Sequence, residues 1–207
     1  MGFVKMEDNE YNEDYFEHGE EKGISGYTNY SYMPTRSYEE ASMLKERWKE
    51  GRILDYGCAK GYLVHALNQL GFEAYGYDLS TYAIDNCHPQ VKELIYNVLD
   101  DSKYEYVICK DVMEHIPEDK IVNTLKEIKH VMGEEALFVI PLGDDNKFRI
   151  REYEYDITHV TKKDEDWWVD KFKEAGFIIN NFKYVYGDIK KKWTGKYDYG
   201  NGFFFVR

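Results

Sequence analysis

Short apolar runs alternate with amphipathic stretches along most of the chain, and turn residues separate them. The apolar runs predict seven strands, at 53–54, 72–78, 93–96, 104–109, 136–140, 177–186 and 202–207. The amphipathic stretches predict helices at 37–48, 62–69, 81–86, 117–130 and 161–175. Because strands and helices alternate, we expect an α/β fold with a mostly parallel sheet that carries helices on both faces.

The last two predicted strands differ from the others, since only a loop separates them. They are expected to form an antiparallel C-terminal β-hairpin, because a parallel pair needs a longer crossover connection. Two helix starts also carry sequence signals. Pro117 is expected to open the helix at 117–130, and Thr161, with Asp164 three residues later, is expected to cap the helix at 161–175.

The first 40 residues are acidic and rich in tyrosine. We expect this segment, 1–40, to fold as a lid over a site at the carboxyl edge of the sheet, with a partly disordered acidic tail as the alternative. Residues 41–207 are expected to form the main domain. Within it, the connection at about 142–162 is expected to be a substrate loop, because loops at this edge carry the ligand sites of α/β sheets.

The charge and the cysteines narrow the range of partners and compartments. A formal net charge of −12 disfavours nucleic acids and anionic membranes as partners, and the basic run at 190–193 is expected to be a solvated loop. No apolar run approaches the roughly 20 residues that span a bilayer, and no apolar leader is evident, so a cytoplasmic protein is expected. The three cysteines form no Cys-x-x-Cys pair, which indicates reduced thiols and no zinc site.

A strand, a glycine turn and a helix follow one another at 52–67. Asp55 ends the apolar run, Gly57 and Gly61 stand in the turn, and Asp78 ends the next strand. Gly57 lets the backbone pass close to a ligand, Gly61 allows tight helix packing, and Asp78 is placed to accept both hydroxyls of a ribose. The pattern indicates a nucleoside cofactor. The third glycine of the dinucleotide fingerprint is missing, which disfavours a nicotinamide oxidoreductase.

These segments resemble the motifs of the class I S-adenosylmethionine-dependent methyltransferases. Asp-Tyr-Gly-Cys-Ala-Lys-Gly at 55–61 is similar to their first motif, with Ala59 in place of the usual middle glycine. The segments at 76–80 and 111–117 are similar to their second motif and to the one that follows strand four. The resemblance implies a Rossmann-like, seven-stranded, mostly parallel sheet, S-adenosylmethionine as cofactor, and S-adenosylhomocysteine as product.

The resemblance also implies roles for individual positions around the cofactor. Its methionine end would contact Asp55, Gly57, Cys58 and Gly61. Asp78 would hold the ribose. The remaining cofactor residues would be Leu79, Asn97 and Val98 at the adenine, Lys110 with Asp111 closing the pocket, and Tyr30 and Arg36 near the cofactor carboxylate.

Two histidines are candidates for proton transfer. His115 follows strand four near the expected cofactor sulfur, and His159 lies in the substrate loop, with Asp156 close enough to orient it. The alternatives are structural: His115 could cap a short helix, and His159 could be a hinge before Thr161. Asp111 is the third candidate catalytic residue. We expect no metal ion, although the spacing from Asp111 to Glu114 or His115 leaves a metal site as a minor alternative.

An acceptor site is expected where arginine and aromatic side chains meet, because that combination suits a sugar or an anionic small molecule. The candidate substrate residues are Arg149, Arg151, Tyr155 and Trp193. We therefore expect O-methylation of a hydroxyl on a sugar, a glycan or another small molecule. The alternatives are methylation of a protein side chain and a non-catalytic scaffold subunit. A homodimer is one expected form of assembly.

Overall fold

The computed structural model describes residues 10–191 and 199–207. A seven-stranded sheet has the order β3-β2-β1-β4-β5-β9-β8, and all pairs are parallel except those of β9. Its strands are β1 (Arg52–Tyr56), β2 (Glu73–Tyr77), β3 (Ile95–Tyr96), β4 (Tyr104–Lys110), β5 (Met132–Pro141), β8 (Ile179–Lys183) and β9 (Asn201–Val206). The antiparallel pair of β8 and β9 confirms the expected terminal hairpin, with β9 inserted between β5 and β8.

Helices cover both faces of this sheet, as the alternation predicts. They are α1 (Glu13–Glu17), α2 (Gly19–Lys22), α3 (Pro34–Trp48), α4 (Tyr62–Gln69), α5 (Thr81–Asp85), α6 (Ile121–Val131) and α7 (Glu165–Glu174). One apolar core lies between the sheet and α3 and α4, and another lies between the sheet and α6 and α7. No helix in the described part of the chain is long and apolar enough to cross a membrane.

Three helix starts differ from the sequence prediction. The helix α3 begins at Pro34, three residues earlier than expected. Pro117 lies in a turn before α6, where its carbonyl accepts a hydrogen bond from the backbone N–H of Lys120. The helix therefore begins only at Ile121. The side chain of Asp164, not Thr161, caps α7 by accepting from the backbone N–H of Trp167 at 2.8 Å. The Thr161 hydroxyl instead donates to the carbonyl of Ile116 at 2.6 Å.

The connection after β5 contains structure that the hydrophobic pattern does not predict. A two-stranded antiparallel pair, β6 (Gly143–Asp144) and β7 (Lys147–Phe148), follows β5 directly.

Short 3₁₀ helices lie at Pro89–Leu94, Met113–His115 and Arg151–Tyr155. The first of these occupies the first half of the predicted third strand, 93–96, and only the last two residues of that strand pair with β2.

The described part of the N-terminal segment packs against the carboxyl edge of the sheet. Tyr11, Tyr15 and Phe16 are buried there and cluster with Ala83 of α5. The hydroxyl of Ser80 donates to the carbonyl of Tyr11, which ties the segment to the start of α5. Residues 10–30 are therefore part of the folded unit and form one wall of the cavity at this edge.

Candidate functional site

A cavity of about 1010 Å³ opens at the carboxyl ends of β1, β2 and β4. This volume is at the upper end of the range for small-molecule sites, so the cavity has room for a nucleoside cofactor and a second ligand. Aromatic rings of the N-terminal segment form its wall on one side, and the turn after β1 forms the other. The predicted cofactor residues that line it are Tyr30, Arg36, Asp55, Gly57, Cys58, Asp78, Leu79, Asn97, Val98 and Lys110.

Two glycines in the turn after β1 have conformations and surroundings that exclude a side chain. Gly57 has a φ of +81°, and a Cβ there would lie 2.2 Å from Cγ2 of Val112. Gly61 has a φ of +70°, and its Cβ would lie 2.2 Å from Cδ1 of Ile95. Gly57 lines the cavity, whereas Gly61 begins α4 and packs against β3 outside it. Gly61 therefore supports the turn through packing and does not contact the cavity.

The carboxylate of Asp78 is fixed at the cavity wall by two backbone donors. The N–H of Ala59 donates to Oδ2 at 2.7 Å, and the N–H of Ser80 donates to Oδ1 at 2.9 Å. Each carboxylate oxygen can accept more than one hydrogen bond, so both can also accept from the hydroxyls of a ribose. Ala59 has a φ of +48°, a left-handed conformation that explains why a glycine is usual at this position.

Several charged side chains also line the cavity. Asp55 is buried at the end of β1, and this burial raises its pKa to about 7, against the opposing effect of the Lys110 ammonium. Glu40 of α3 pairs with both predicted cofactor cations: its carboxylate lies 3.3 Å from Nε of Arg36 and 3.2 Å from Nζ of Lys110. A ligand with both a cationic and an anionic group, such as an amino acid moiety, fits this mixed charge.

His115 lines the cavity, and its protonation follows from its neighbours. The hydroxyl of Thr158 donates to Oδ1 of Asp156 at 2.6 Å. The oxygen of this Thr158 hydroxyl also lies 2.8 Å from Nδ1 of His115. Because the hydroxyl has one proton, it must accept from His115, so Nδ1 carries the ring proton and Nε2 is an acceptor. Burial, helped by the neighbouring His159, lowers the pKa of His115 to about 4, which keeps the ring neutral at pH 7.

His159 lies next to His115, with the ring centroids 4.5 Å apart. Its Nδ1 donates to the carbonyl of Tyr153 at 2.8 Å, which again leaves Nε2 as an acceptor. Asp156 was expected to orient this ring, but its nearest carboxylate oxygen is 3.8 Å from Nε2. Asp156 instead orients His115 through Thr158. The structure thus brings both predicted histidines together, although His159 lies behind the cavity wall.

Asp111 lines the cavity in a left-handed conformation, with a φ of +57°. Its carboxylate forms an ion pair with the ammonium of Lys190, which also donates to the hydroxyl of Tyr153 at 2.7 Å. Burial alone would raise the pKa of Asp111, but Lys190 and Lys110 lower it below its ordinary value. The carboxylate of Asp111 is therefore fixed by its ion pair with Lys190.

A family model described as a methyltransferase domain matches residues 31–180. The chain belongs to this methyltransferase family. The match spans the turn at Gly57, the carboxylate of Asp78 and the histidine pair, so it includes the cavity described above. The fold is that of the class I S-adenosylmethionine-dependent methyltransferases, as the sequence motifs imply.

The relatives of this methyltransferase are distant. The mitochondrial ubiquinone biosynthesis O-methyltransferase of Schizosaccharomyces pombe is 23% identical over 181 residues, which cover 69% of this chain and 61% of that protein. Among solved structures, the complex between the Haloferax volcanii Trm112 methyltransferase activator and a putative methyltransferase matches with a TM-score of 0.63 and 16% identity, over 99% and 98% of the two chains. CalO1, a methyltransferase in calicheamicin biosynthesis in its SAH-bound form, matches with a TM-score of 0.59 and 12% identity, over 84% and 53%. The chain thus spans about three fifths of the length of the curated relative.

Three of the four residues predicted to bind substrate lie outside the lining of the cavity. Arg149 is committed to the carboxylates of Asp144 and Glu165, both at 2.7 Å, and so holds the β6–β7 pair against α7. Arg151 is exposed, and Tyr155 is 54% exposed. None of the three is among the residues that line the cavity. Trp193 lies outside the described residues.

Two residues of the site were missed at the sequence level. Lys190 was expected in a solvated loop, but it is buried against Asp111, Tyr153 and Asn201. Glu114 is buried between the two histidines, with its Oε1 3.9 Å from Nε2 of His159. The sequence signals for Glu114 were its adjacency to His115 and its spacing from Asp111, which left a metal site as a minor alternative. No sequence signal separates Lys190 from the lysines that follow it.

Proposed function

We propose that this protein is an O-methyltransferase that uses S-adenosylmethionine to methylate a hydroxyl on a ring-shaped small molecule, with a sugar or glycan as the first acceptor class to test. The observation that carries the proposal is the cradle of Gly57 and Asp78, which opens into the same cavity that His115 lines. The ubiquinone biosynthesis relative supports oxygen as the acceptor atom, since its name describes an O-methyltransferase.

Different residues of the cavity would hold different parts of the cofactor. Asp78 would hold the ribose, because its two oxygens are fixed by backbone donors and face the cavity. Asp55, Arg36 and Lys110 would hold the charged amino acid end. When bound, S-adenosylmethionine supplies an electrophilic methyl group on a sulfonium. The turn at Gly57 would let the cofactor lie against the backbone, which fixes the direction in which the methyl group points.

The N-terminal segment would act as the lid over this reaction. Tyr11, Tyr15 and Phe16 are buried, and with Tyr27 and Tyr30 they line the cavity. An aromatic wall of this kind excludes water, which strengthens electrostatic interactions within the site. It also offers flat apolar surfaces to a sugar or phenol ring. The cofactor would reach its cradle while this segment is open.

A hydroxyl acceptor must lose its proton as the methyl group arrives. We assign the removal of this proton to the site that the histidine pair forms. His115 lines the cavity, is neutral at pH 7 and is held in one tautomer by Thr158. The His159 ring lies next to that of His115, with the ring centroids 4.5 Å apart.

The decisive experiment is transfer of a labelled methyl group from S-adenosylmethionine to separate acceptor pools. The pools are glycosides and nucleotide sugars, phenols and catechols, protein, and nucleic acid. The proposal predicts label in a small-molecule hydroxyl pool and none with an Asp78→Ala variant. Label in protein alone would support a protein side-chain methyltransferase instead. Cofactor binding without transfer to any pool would favour a scaffold subunit.

A further inference from the structure

We propose that Glu114, His115 and His159 bind a divalent transition-metal ion, such as Zn²⁺ or Mn²⁺, at the inner end of the cavity. One ligand atom from each of the three residues lies within 4.8 Å of the other two. Two imidazoles and one carboxylate form a ligand set common to catalytic zinc and non-haem iron sites. The proposal departs from the sequence expectation, which contained no metal ion.

Glu114 provides an independent indication of a missing ligand. Its side chain is 1% exposed, and neither carboxylate oxygen has a hydrogen-bond partner within the described parts of the chain. Burying a carboxyl group without a partner costs several kcal/mol in general, so such groups usually have a counter-ion or a bound ion. The backbone position of Glu114 is also fixed, since its carbonyl accepts from the N–H groups of Val160 and Thr161, which directly follow His159.

Both histidines have the protonation and the outer contacts that metal ligands require. Each Nδ1 is used, that of His115 by Thr158 and that of His159 by the carbonyl of Tyr153, so each Nε2 keeps its lone pair. Metal-binding histidines typically donate their other ring N–H to a carbonyl or carboxylate in this way. For His115 the Thr158 hydroxyl relays the contact to Asp156.

The distances leave little movement to be made. Nε2 of His159 and Oε1 of Glu114 are 3.9 Å apart. Ligand atoms at about 2.1 Å from one tetrahedral ion lie about 3.4 Å apart. The His159–Glu114 pair therefore has to close by about half an ångström, and, because all three ligand atoms lie within 4.8 Å of one another, no pair has to close by more than about 1.4 Å. The nearby ammonium of Lys190 is engaged by Asp111, Tyr153 and Asn201, and its hydrogen bonds do not reach Glu114.

Three protein ligands leave a coordination position for another molecule, and His115 places that position at the cavity. This part of the inference rests on the proposed function. An acceptor hydroxyl bound there would have its pKa lowered by the ion, as bound water has, and would release its proton to solvent. The resulting oxygen would form a bond to the methyl carbon as the carbon–sulfur bond breaks and the sulfonium becomes a neutral thioether.

Metal binding is tested directly on the full chain, without a histidine tag and without cofactor. After treatment with EDTA and its removal, Zn²⁺ titration by calorimetry should show one ion bound per chain. Glu114→Gln and His159→Gln should each weaken binding at least tenfold. Thr158→Val, which changes no ligand, should weaken it about 10- to 100-fold, because it frees the His115 ring. The matched control His130→Gln removes an exposed histidine and should leave Zn²⁺ affinity unchanged.

The outcomes separate this inference from the proposed function. No stoichiometric Zn²⁺ or Mn²⁺ binding by the wild-type chain, or equal binding by the Glu114 and His159 variants, would overturn the metal site. Circular dichroism identifies a variant that has failed to fold, and Thr158→Val then provides the comparison. Methyl transfer that persists in EDTA would keep the methyltransferase and overturn the role of the ion. Metal binding without methyl transfer would support the site while the proposed acceptor class fails.

Discussion

The hydroxyl of Tyr15 donates a hydrogen bond to Oδ2 of Asp156, 2.8 Å away across 141 residues of sequence. The other carboxylate oxygen of Asp156 accepts from Thr158, which contacts His115. A single carboxylate therefore connects the N-terminal segment to the histidine pair. The packing of that segment at the cavity and the orientation of the His115 ring depend on the same buried carboxylate.

Removing this hydroxyl should loosen the N-terminal segment. Tyr15→Phe leaves one oxygen of the buried Asp156 carboxylate without this donor, and the expected loss in free energy of unfolding is about 1–3 kcal/mol. Urea unfolding measures this loss, and hydrogen exchange of residues 10–30 should become faster. Tyr155→Phe is the matched control, because that side chain is 54% exposed and should change neither quantity. Equal effects of the two substitutions would mean that the contact has no role in holding the segment.

Asp78→Asn should weaken S-adenosylmethionine binding about tenfold. The substitution keeps the size of the side chain but removes its charge and one of its acceptor oxygens, each of which already receives a backbone hydrogen bond. Calorimetric titration of the cofactor measures the change. Asp170→Asn, on the exposed surface of α7, is the control and should bind the cofactor like the wild type. An unchanged affinity in Asp78→Asn would show that the ribose lies elsewhere.

Cofactor affinity should rise with pH through neutrality. The pKa of Asp55 is about 7 in the free protein because of burial, so roughly half of these carboxyl groups are protonated at pH 7. The cofactor carries two positive groups and favours the ionised form, so its affinity should fall by up to tenfold per pH unit below 7. Titrations between pH 5.5 and 8.5 test this. Asp55→Asn should flatten the profile, and a profile equally steep in that variant would assign the titration to another group.

The same group sets a pH dependence of stability in the free protein. Its folded pKa lies above the ordinary value of 3.8, so the folded state binds the proton more tightly than the unfolded state. The contribution of Asp55 therefore favours folding most below pH 4 and diminishes as the pH rises to about 7. Without cofactor, Asp55→Asn should be more resistant to urea than the wild type at pH 8. The two proteins should differ least at pH 4.

A comparison of Gly57→Ala with Gly71→Ala distinguishes the cost of backbone strain from the effect of an added methyl group at the cavity. Gly57 and Gly71 both have positive φ values, of +81° and +84°, so alanine costs roughly 1–2 kcal/mol of stability at either position. Only at Gly57 does the added methyl group meet a neighbour, Cγ2 of Val112 at 2.2 Å, whereas nothing lies within 4 Å at Gly71. Gly57→Ala should therefore also lose cofactor affinity. Thermal shifts with and without S-adenosylmethionine distinguish the two effects.

The sequence predicts the sheet and the residues that line its carboxyl edge well, because both depend on local patterns. Asp55 and Asp78 end neighbouring parallel strands, so their side chains necessarily meet at one edge. The glycine turn is equally local, since the conformations of Gly57 and Gly61 leave no room for other residues.

Contacts between distant loops could not be predicted in the same way. Arg149 was expected at the substrate, but the partners that hold it, Asp144 and Glu165, belong to a strand pair and a helix that the pattern does not place together. Lys190 is buried because it meets Asp111, which is 79 residues away. Thr161 and Asp164 are both good caps, and only the contact of Thr161 with Ile116 decides between them.

The position of β9 inside the sheet, between β5 and β8, affects how the sequence of this strand can change in evolution. Phe203 and Phe205 point into the core beneath α3 and α4, while Phe204 and Val206 point into the core beneath α6 and α7. Strand β5, which pairs with β9, alternates in the same way, with Leu137 and Val139 in the first of these cores and Phe138 and Ile140 in the second. Because neighbouring residues of β9 pack in different cores, inserting or deleting a single residue would exchange the cores in which they pack. We expect drift in this strand to proceed by substitution alone.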